Sequence, residues 1–125
     1  MNIEPRHKNF DLPLSEWIAK IPNELPFDSV GLWQIIPVGA DSFGFAGPEL
    51  ESFAKRCIVA LINSGAKPVV ASAQKNIFWE HQPQYGSAPE AIADAVIQAW
   101  QISPSLASHD GLWFDLLGGE FCGGT

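Results

Sequence analysis

The residues best suited to proton transfer lie in the run Trp79-Glu80-His81. A histidine titrates near neutral pH, so His81 with Glu80 or Asp115 would form the acid–base pair of a small enzyme. A strand-end histidine that is bonded to a backbone group explains the same residue without catalysis. Sequence spacing ties no Ser or Cys nucleophile to His81, so the sequence favours a protein without catalytic activity.

Motifs for other chemistry are absent from the sequence. It has no phosphate-binding Gly-x-x-x-x-Gly-Lys loop, no dinucleotide-binding glycine fingerprint, no His-Glu-x-x-His, no EF-hand and no Gly-x-Ser-x-Gly. Cys57 and Cys122 have no neighbouring Cys or His with which to form a zinc site, and two cysteines do not make a disulfide framework. We therefore expect no metal and no cofactor.

Charge is distributed unevenly along the chain. The 125 residues include 14 acidic and 7 basic ones, giving a formal net charge of −7. All of the Lys and Arg residues lie before Asn76, whereas six acidic residues follow it. Nucleic-acid binding needs clustered cations, so we expect no nucleic-acid partner. The negative field suits a basic protein or a cationic small molecule, although it also serves solubility alone.

Length and composition predict one domain over residues 1–125. Hydrophobic residues make up 46% of the chain, which suffices for a core that needs no disulfide bond or bound metal for stability. No apolar run approaches the ~20 residues that cross a bilayer, and residues 1–11 lack the hydrophobic segment of a signal peptide. We therefore expect a cytoplasmic protein without a membrane partner, with flexible ends at residues 1–12 and 118–125.

Hydrophobic periodicity predicts a series of helices and strands. The predicted elements are a short helix over 13–21, a strand over 30–38, a long helix over 48–64, strands over 68–72 and 76–81, a second long helix after Ser87 that reaches Gln101, and a strand over 111–117. After the first helix the order is βαββαβ. This order predicts an α+β fold of the ferredoxin-like split βαβ type, with two long helices on one face of an antiparallel sheet.

Strand alternation predicts an aromatic face on the side of the sheet that the helices leave bare. In the last strand, Phe114 would lie under the helices, and Trp113 and Asp115 would point the other way. The repeat of Gly-Leu-Trp at 31–33 and 111–113 places Trp33 on the same open face. From the third strand, either Ile77 and Trp79 or Phe78 and Glu80 would join them. The site residues predicted on or beside this face are Trp33, Ile35, Trp79, Glu80, His81, Tyr85, Trp113 and Asp115.

An exposed aromatic patch of this size is normally buried by another part of the chain, a second copy or a ligand. The N-terminal helix would cover it, and so would a second copy of the chain in a homodimer.

Our first functional hypothesis is a non-catalytic binding module for a basic protein, similar in role to an immunity or antitoxin protein. The second is a small-molecule-binding domain, in which the tryptophan faces hold a cationic or aromatic ligand. The third is the small enzyme based on His81.

Overall fold

The computed structural model describes residues 13–25, 29–71, 79–108 and 110–116. Several predictions fall outside these residues. They are the flexible ends at 1–12 and 118–125, the first part of the strand over 76–81, the turn that joins it to the preceding strand, and Cys122.

Four α-helices are present in the described residues. They are α1 at Leu14–Lys20, α2 at Leu32–Pro37, α3 at Gly47–Asn63 and α4 at Pro89–Ile102. The predictions of α1, α3 and α4 are confirmed to within a residue or two at each end. None of these helices has the length and hydropathy that a bilayer crossing requires.

Four short strands form one antiparallel sheet. The strands are β1 at Val30–Gly31, β2 at Lys67–Ala71, β3 at Trp79–His81 and β4 at Trp113–Asp115, and their order across the sheet is β1-β4-β2-β3. Val69 in β2 is the register partner of both Trp113 and His81. The protein is therefore an α+β protein whose β4 and β2 are central and whose β1 and β3 form the edges.

The predicted strand over 30–38 is wrong beyond Gly31, because the chain turns into α2. The backbone N–H of Gly31 donates a 2.8 Å hydrogen bond to Oε1 of Gln34, which closes the first helical turn. Leu32 and Ile35 are both buried, as residues three positions apart on one helical face should be. Pro37 has no N–H for a sheet ladder, and this signal argues against a central strand here.

The hydrophobic core lies between the sheet and the long helices α3 and α4. From α3, Phe53, Cys57 and Leu61 enter the core at i, i+4 and i+8. On β4, Phe114 is fully buried while its neighbours Trp113 and Asp115 are only partly buried. This pattern confirms the predicted alternation of β4 and leaves Trp113 and Asp115 on the sheet face that points away from the core.

Candidate functional site

Three tryptophans meet on the sheet face that points away from the core. The ring centroids of Trp79 and Trp113 are 5.6 Å apart, and those of Trp33 and Trp113 are 6.1 Å apart in an edge-to-face arrangement. All three side chains are partly buried. Gly31 provides the space for this tryptophan cluster, because a Cβ there would lie 2.5 Å from Cδ1 of Trp33.

Trp33 reaches the tryptophan cluster from α2 and not from a strand. The prediction that Trp33 lies on the same face as Trp113 is confirmed by the contact of their rings. The predicted strand does not bring them together, because β1 ends at Gly31 and Trp33 lies in α2. The same change of structure removes Ile35 from the face. Ile35 is 1% exposed and belongs to the core, so its predicted place on the open sheet face is wrong.

The register of β3 decides which of its residues join the cluster. Trp79 pairs with Ala71 and contacts Trp113, whereas Glu80 pairs with Val70. Since neighbouring strand residues point to opposite sides, Glu80 lies on the other side of the edge strand. Its carboxylate is exposed there.

His81 lines a cavity of about 550 Å³ together with Lys67. Burial lowers the pKa of His81 below its ordinary value, and the nearby charge of Lys67 lowers it further. Asp115 is the register partner of Lys67 on β4, which β2 separates from β3. Strands are spaced ~4.8 Å apart, so the Cα atoms of His81 and Asp115 are ~10 Å or more apart, and Asp115 is not among the causes of the lowered pKa of His81.

Tyr85 lines a different cavity, of about 330 Å³. Tyr85 ends a 3-10 turn over Pro83–Tyr85, and burial raises the pKa of its phenol. Asp110 is the carboxylate in this lining. The described residues that line this Tyr85–Asp110 cavity are Val70, Tyr85, Ser105, Leu106, Ser108, Asp110, Gly111 and Leu112.

The Tyr85–Asp110 cavity adjoins Glu80, because Val70 in its wall is the register partner of Glu80. The wall is held by the segment after α4, where the N–H of Leu112 donates a 2.9 Å hydrogen bond to the carbonyl oxygen of Leu106. The cavity thus combines an apolar wall, an aromatic ring and a carboxylate, with a second carboxylate on the neighbouring strand.

Within the described residues, no three His, Cys, Asp or Glu side chains are grouped closely enough to hold a metal ion. Cys57 is fully buried on α3, and burial raises the pKa of its thiol far above the ordinary value. Cys57 is therefore part of the core and not a nucleophile.

The sequence did not identify Lys67 or Asp110 as site residues. Lys67 is the first residue of β2, and the two residues that follow it are buried. Its place in the same cavity as His81 depends on the pairing of β2 with β3. Asp110 lines the same cavity as Tyr85 only because the segment after α4 returns to the sheet. Neither pairing has a signal in local sequence spacing.

Comparison of the chain with protein-family models, with characterised proteins and with solved structures finds no match. The function must therefore be argued from the geometry and the charge of the chain itself.

Proposed function

We propose that this protein is a non-catalytic binding module that takes a basic protein partner, similar in role to an immunity or antitoxin protein. The observation that carries the proposal is the Tyr85–Asp110 cavity, whose described lining residues include an aromatic ring and a carboxylate and no Lys, Arg or His. A cavity of this composition suits a lysine or arginine side chain of the partner.

The cavity matches the two parts of such a side chain. The aliphatic stem of a lysine or arginine packs well on apolar walls such as Val70, Leu106 and Leu112. The cationic end then meets Asp110, and the face of Tyr85 attracts the same charge. Glu80 on the adjoining edge strand adds a second carboxylate for a neighbouring cation.

The charge of the surrounding chain supports the same partner. Residues 76–125 contain no Lys or Arg. A basic surface that approaches this part of the chain therefore meets carboxylates of opposite charge, such as exposed Glu90, without repulsion from a Lys or Arg of these residues. Complementary charge of this kind raises the association rate and makes binding sensitive to salt.

Binding of a fluorescent lysine- and arginine-rich peptide tests the proposal, with a glutamine-substituted peptide as the neutral reference. We expect Asp110→Asn and Glu80→Gln each to weaken binding about fivefold at low ionic strength, which corresponds to ~1 kcal/mol. Glu49→Gln is the matched control, because exposed Glu49 lines another cavity beside Arg56.

The outcome separates a specific site from general charge attraction. Equal losses from Asp110→Asn and Glu49→Gln would mean that net charge alone attracts the peptide, and the proposal would fail. The natural partner can then be sought in a lysate of the source organism. A basic protein retained by the unsubstituted chain, but lost with the Asp110→Asn/Glu80→Gln variant, would support the proposal.

The tryptophan cluster favours a second candidate function, the binding of a cationic or aromatic small molecule. Trp79 and Trp113 are partly exposed and in ring contact. Quenching of tryptophan fluorescence by benzyltrimethylammonium, weakened in Trp79→Leu and unchanged in Trp17→Leu on α1, would support it. A homodimer through this face is the competing outcome, and light scattering on a sizing column would detect it.

The finer description of the fold is also a proposal, namely a relative of the ferredoxin-like plait. β1 and β2 flank β4, and β3 and β4 flank β2. Each helical connection therefore skips one strand, as in a split βαβ unit. An experimental structure with α3 and α4 on opposite faces of the sheet would rule this description out.

A further inference from the structure

The cavity that contains His81 lies where the beginning of β2, the end of β3 and the beginning of α4 meet. Its volume of about 550 Å³ is within the range of ~300–1,000 Å³ that is typical of small-molecule sites. Ile62 of α3 and Ile92 of α4 provide apolar walls. Lys67 and His81 provide the ionisable groups, and we call the site the Lys67–His81 cavity.

The charge of the Lys67–His81 cavity is opposite in sign to that of the chain. Among the residues that the structure describes, its lining contains a lysine and a histidine and no Asp or Glu. Three other cavities formed by described residues each contain a carboxylate, from Asp110, Glu49 or Asp94. A chain with a net charge of −7 thus has a cavity whose described lining residues include no carboxylate.

Lys67 and His81 lie close enough to act on one ligand, because both line the cavity and Lys67 is two residues before Val69, the register partner of His81. After burial, the charge of Lys67 is the second cause of the lowered pKa of His81, which requires that the two groups be near each other. Asp115 stands opposite Lys67 in the register of β2 and β4, but it does not line the cavity. A bound anion would therefore meet Lys67 and His81 without a carboxylate among the described residues of the same wall.

We propose that the Lys67–His81 cavity binds a small organic anion, in which a carboxylate or phosphate group is attached to an apolar body. The anionic group would accept hydrogen bonds from the Lys67 ammonium and the His81 imidazole. The apolar body would pack against Ile62, Ile92 and Pro68. This site is separate from the proposed partner site, because the Lys67–His81 and Tyr85–Asp110 cavities share no lining residue in the part of the chain that the structure describes.

The test uses four small probes and the full chain: phenyl phosphate, hexanoate, inorganic phosphate and benzylammonium. Each is titrated into the protein by isothermal calorimetry, and NMR spectra follow the His81 ring and the methyl groups of Ile62 and Ile92. We expect phenyl phosphate or hexanoate to bind, to shift these signals and to bind more tightly than inorganic phosphate. We expect benzylammonium, which has a similar apolar body and the opposite charge, not to bind.

Two variants locate the binding. Lys67→Gln and His81→Gln replace exposed side chains and should each weaken binding of the preferred probe about tenfold, as expected for the loss of a charged hydrogen bond. Lys55→Gln is the control, since Lys55 is ion-paired with Asp94 at 2.9 Å and lies outside this cavity. Circular dichroism confirms that each variant is folded.

The relative affinities of the probes identify the source of the anionic group. Preference for phenyl phosphate indicates a phosphate monoester, and preference for hexanoate indicates a carboxylic acid. The proposal is overturned if neither binds, if benzylammonium binds equally well, or if Lys55→Gln weakens binding as much as Lys67→Gln does.

Discussion

The indole rings of Trp33 and Trp113 meet at 63° with their centroids 6.1 Å apart, although Trp33 belongs to α2 and Trp113 to β4. Aromatic pairs in this geometry contribute ~0.5–1.5 kcal/mol beyond the area they bury. We therefore expect a double-mutant cycle of Trp33→Leu and Trp113→Leu to give a coupling free energy of about 1 kcal/mol, measured by urea unfolding with circular dichroism.

The control for this cycle is Trp100→Leu, a change to a partly buried tryptophan on α4. Its effect should add to that of Trp113→Leu within ~0.5 kcal/mol, because the two residues are not in ring contact. A coupling for Trp33 and Trp113 as small as that of the control pair would contradict the prediction.

Local sequence pattern was sufficient to predict some elements and not others. The helix α3 shows a long apolar stripe from Phe53 to Leu61, and β4 shows clean alternation around Phe114, so both were predicted correctly. The segment after Gly31 has apolar residues on every side and therefore fits either a strand or a helix. There, tertiary burial of Ile35 and the Gln34 hydrogen bond decide for the helix.

The candidate sites depend on contacts between distant parts of the chain. Strand pairing brings Lys67 to His81, and the return of the chain after α4 brings Asp110 to Tyr85. Sequence alone located His81 and Tyr85 without showing that they line different cavities. Neither cavity could be predicted before the order of strands across the sheet was known.

Gly111 is expected to tolerate no larger residue. A Cβ at this position would overlap the carbonyl oxygen of Leu106, which already accepts the hydrogen bond from the N–H of Leu112. Gly111→Ala should therefore lower the free energy of unfolding by about 1–3 kcal/mol, the usual cost of overpacking. It should also weaken basic-peptide binding, because Gly111 lines the Tyr85–Asp110 cavity.

Urea unfolding and the peptide titration measure the two effects of Gly111→Ala. Ser108→Ala serves as a comparison for the unfolding measurement alone, since it removes a local 2.6 Å hydrogen bond to the Ser105 carbonyl without adding an atom near Leu106. If Gly111→Ala proves as stable as the unsubstituted chain, the Leu106 carbonyl does not lie as close to Gly111 as the structure places it.

Cys57 is expected to be inert in the folded protein. Its side chain is fully buried and the pKa of its thiol is raised, so little thiolate forms at neutral pH. In a Cys122→Ser variant, Cys57 should react with an aromatic disulfide reagent at least about a hundredfold more slowly in buffer than in denaturant. Comparable rates under the two conditions would show that this part of α3 opens readily.

The pKa of His81 should depend on Lys67. Burial and then the charge of Lys67 lower this pKa below its ordinary value of 6.5, so the folded chain binds the proton less readily than the unfolded chain does. The stability that neutral His81 contributes is therefore present above pH ~6.5 and is lost as the pH falls through the lowered pKa.

An NMR pH titration of the His81 ring, assigned with His81→Gln, measures this effect. Lys67→Gln should move the pKa of His81 upward towards 6.5, because one of the two causes of the shift is removed while burial remains. Lys55→Gln, at the ion pair with Asp94, should leave the titration unchanged. A pKa that stays the same in Lys67→Gln would mean that the Lys67 ammonium points away from His81, which would also weaken the case for a shared anion site.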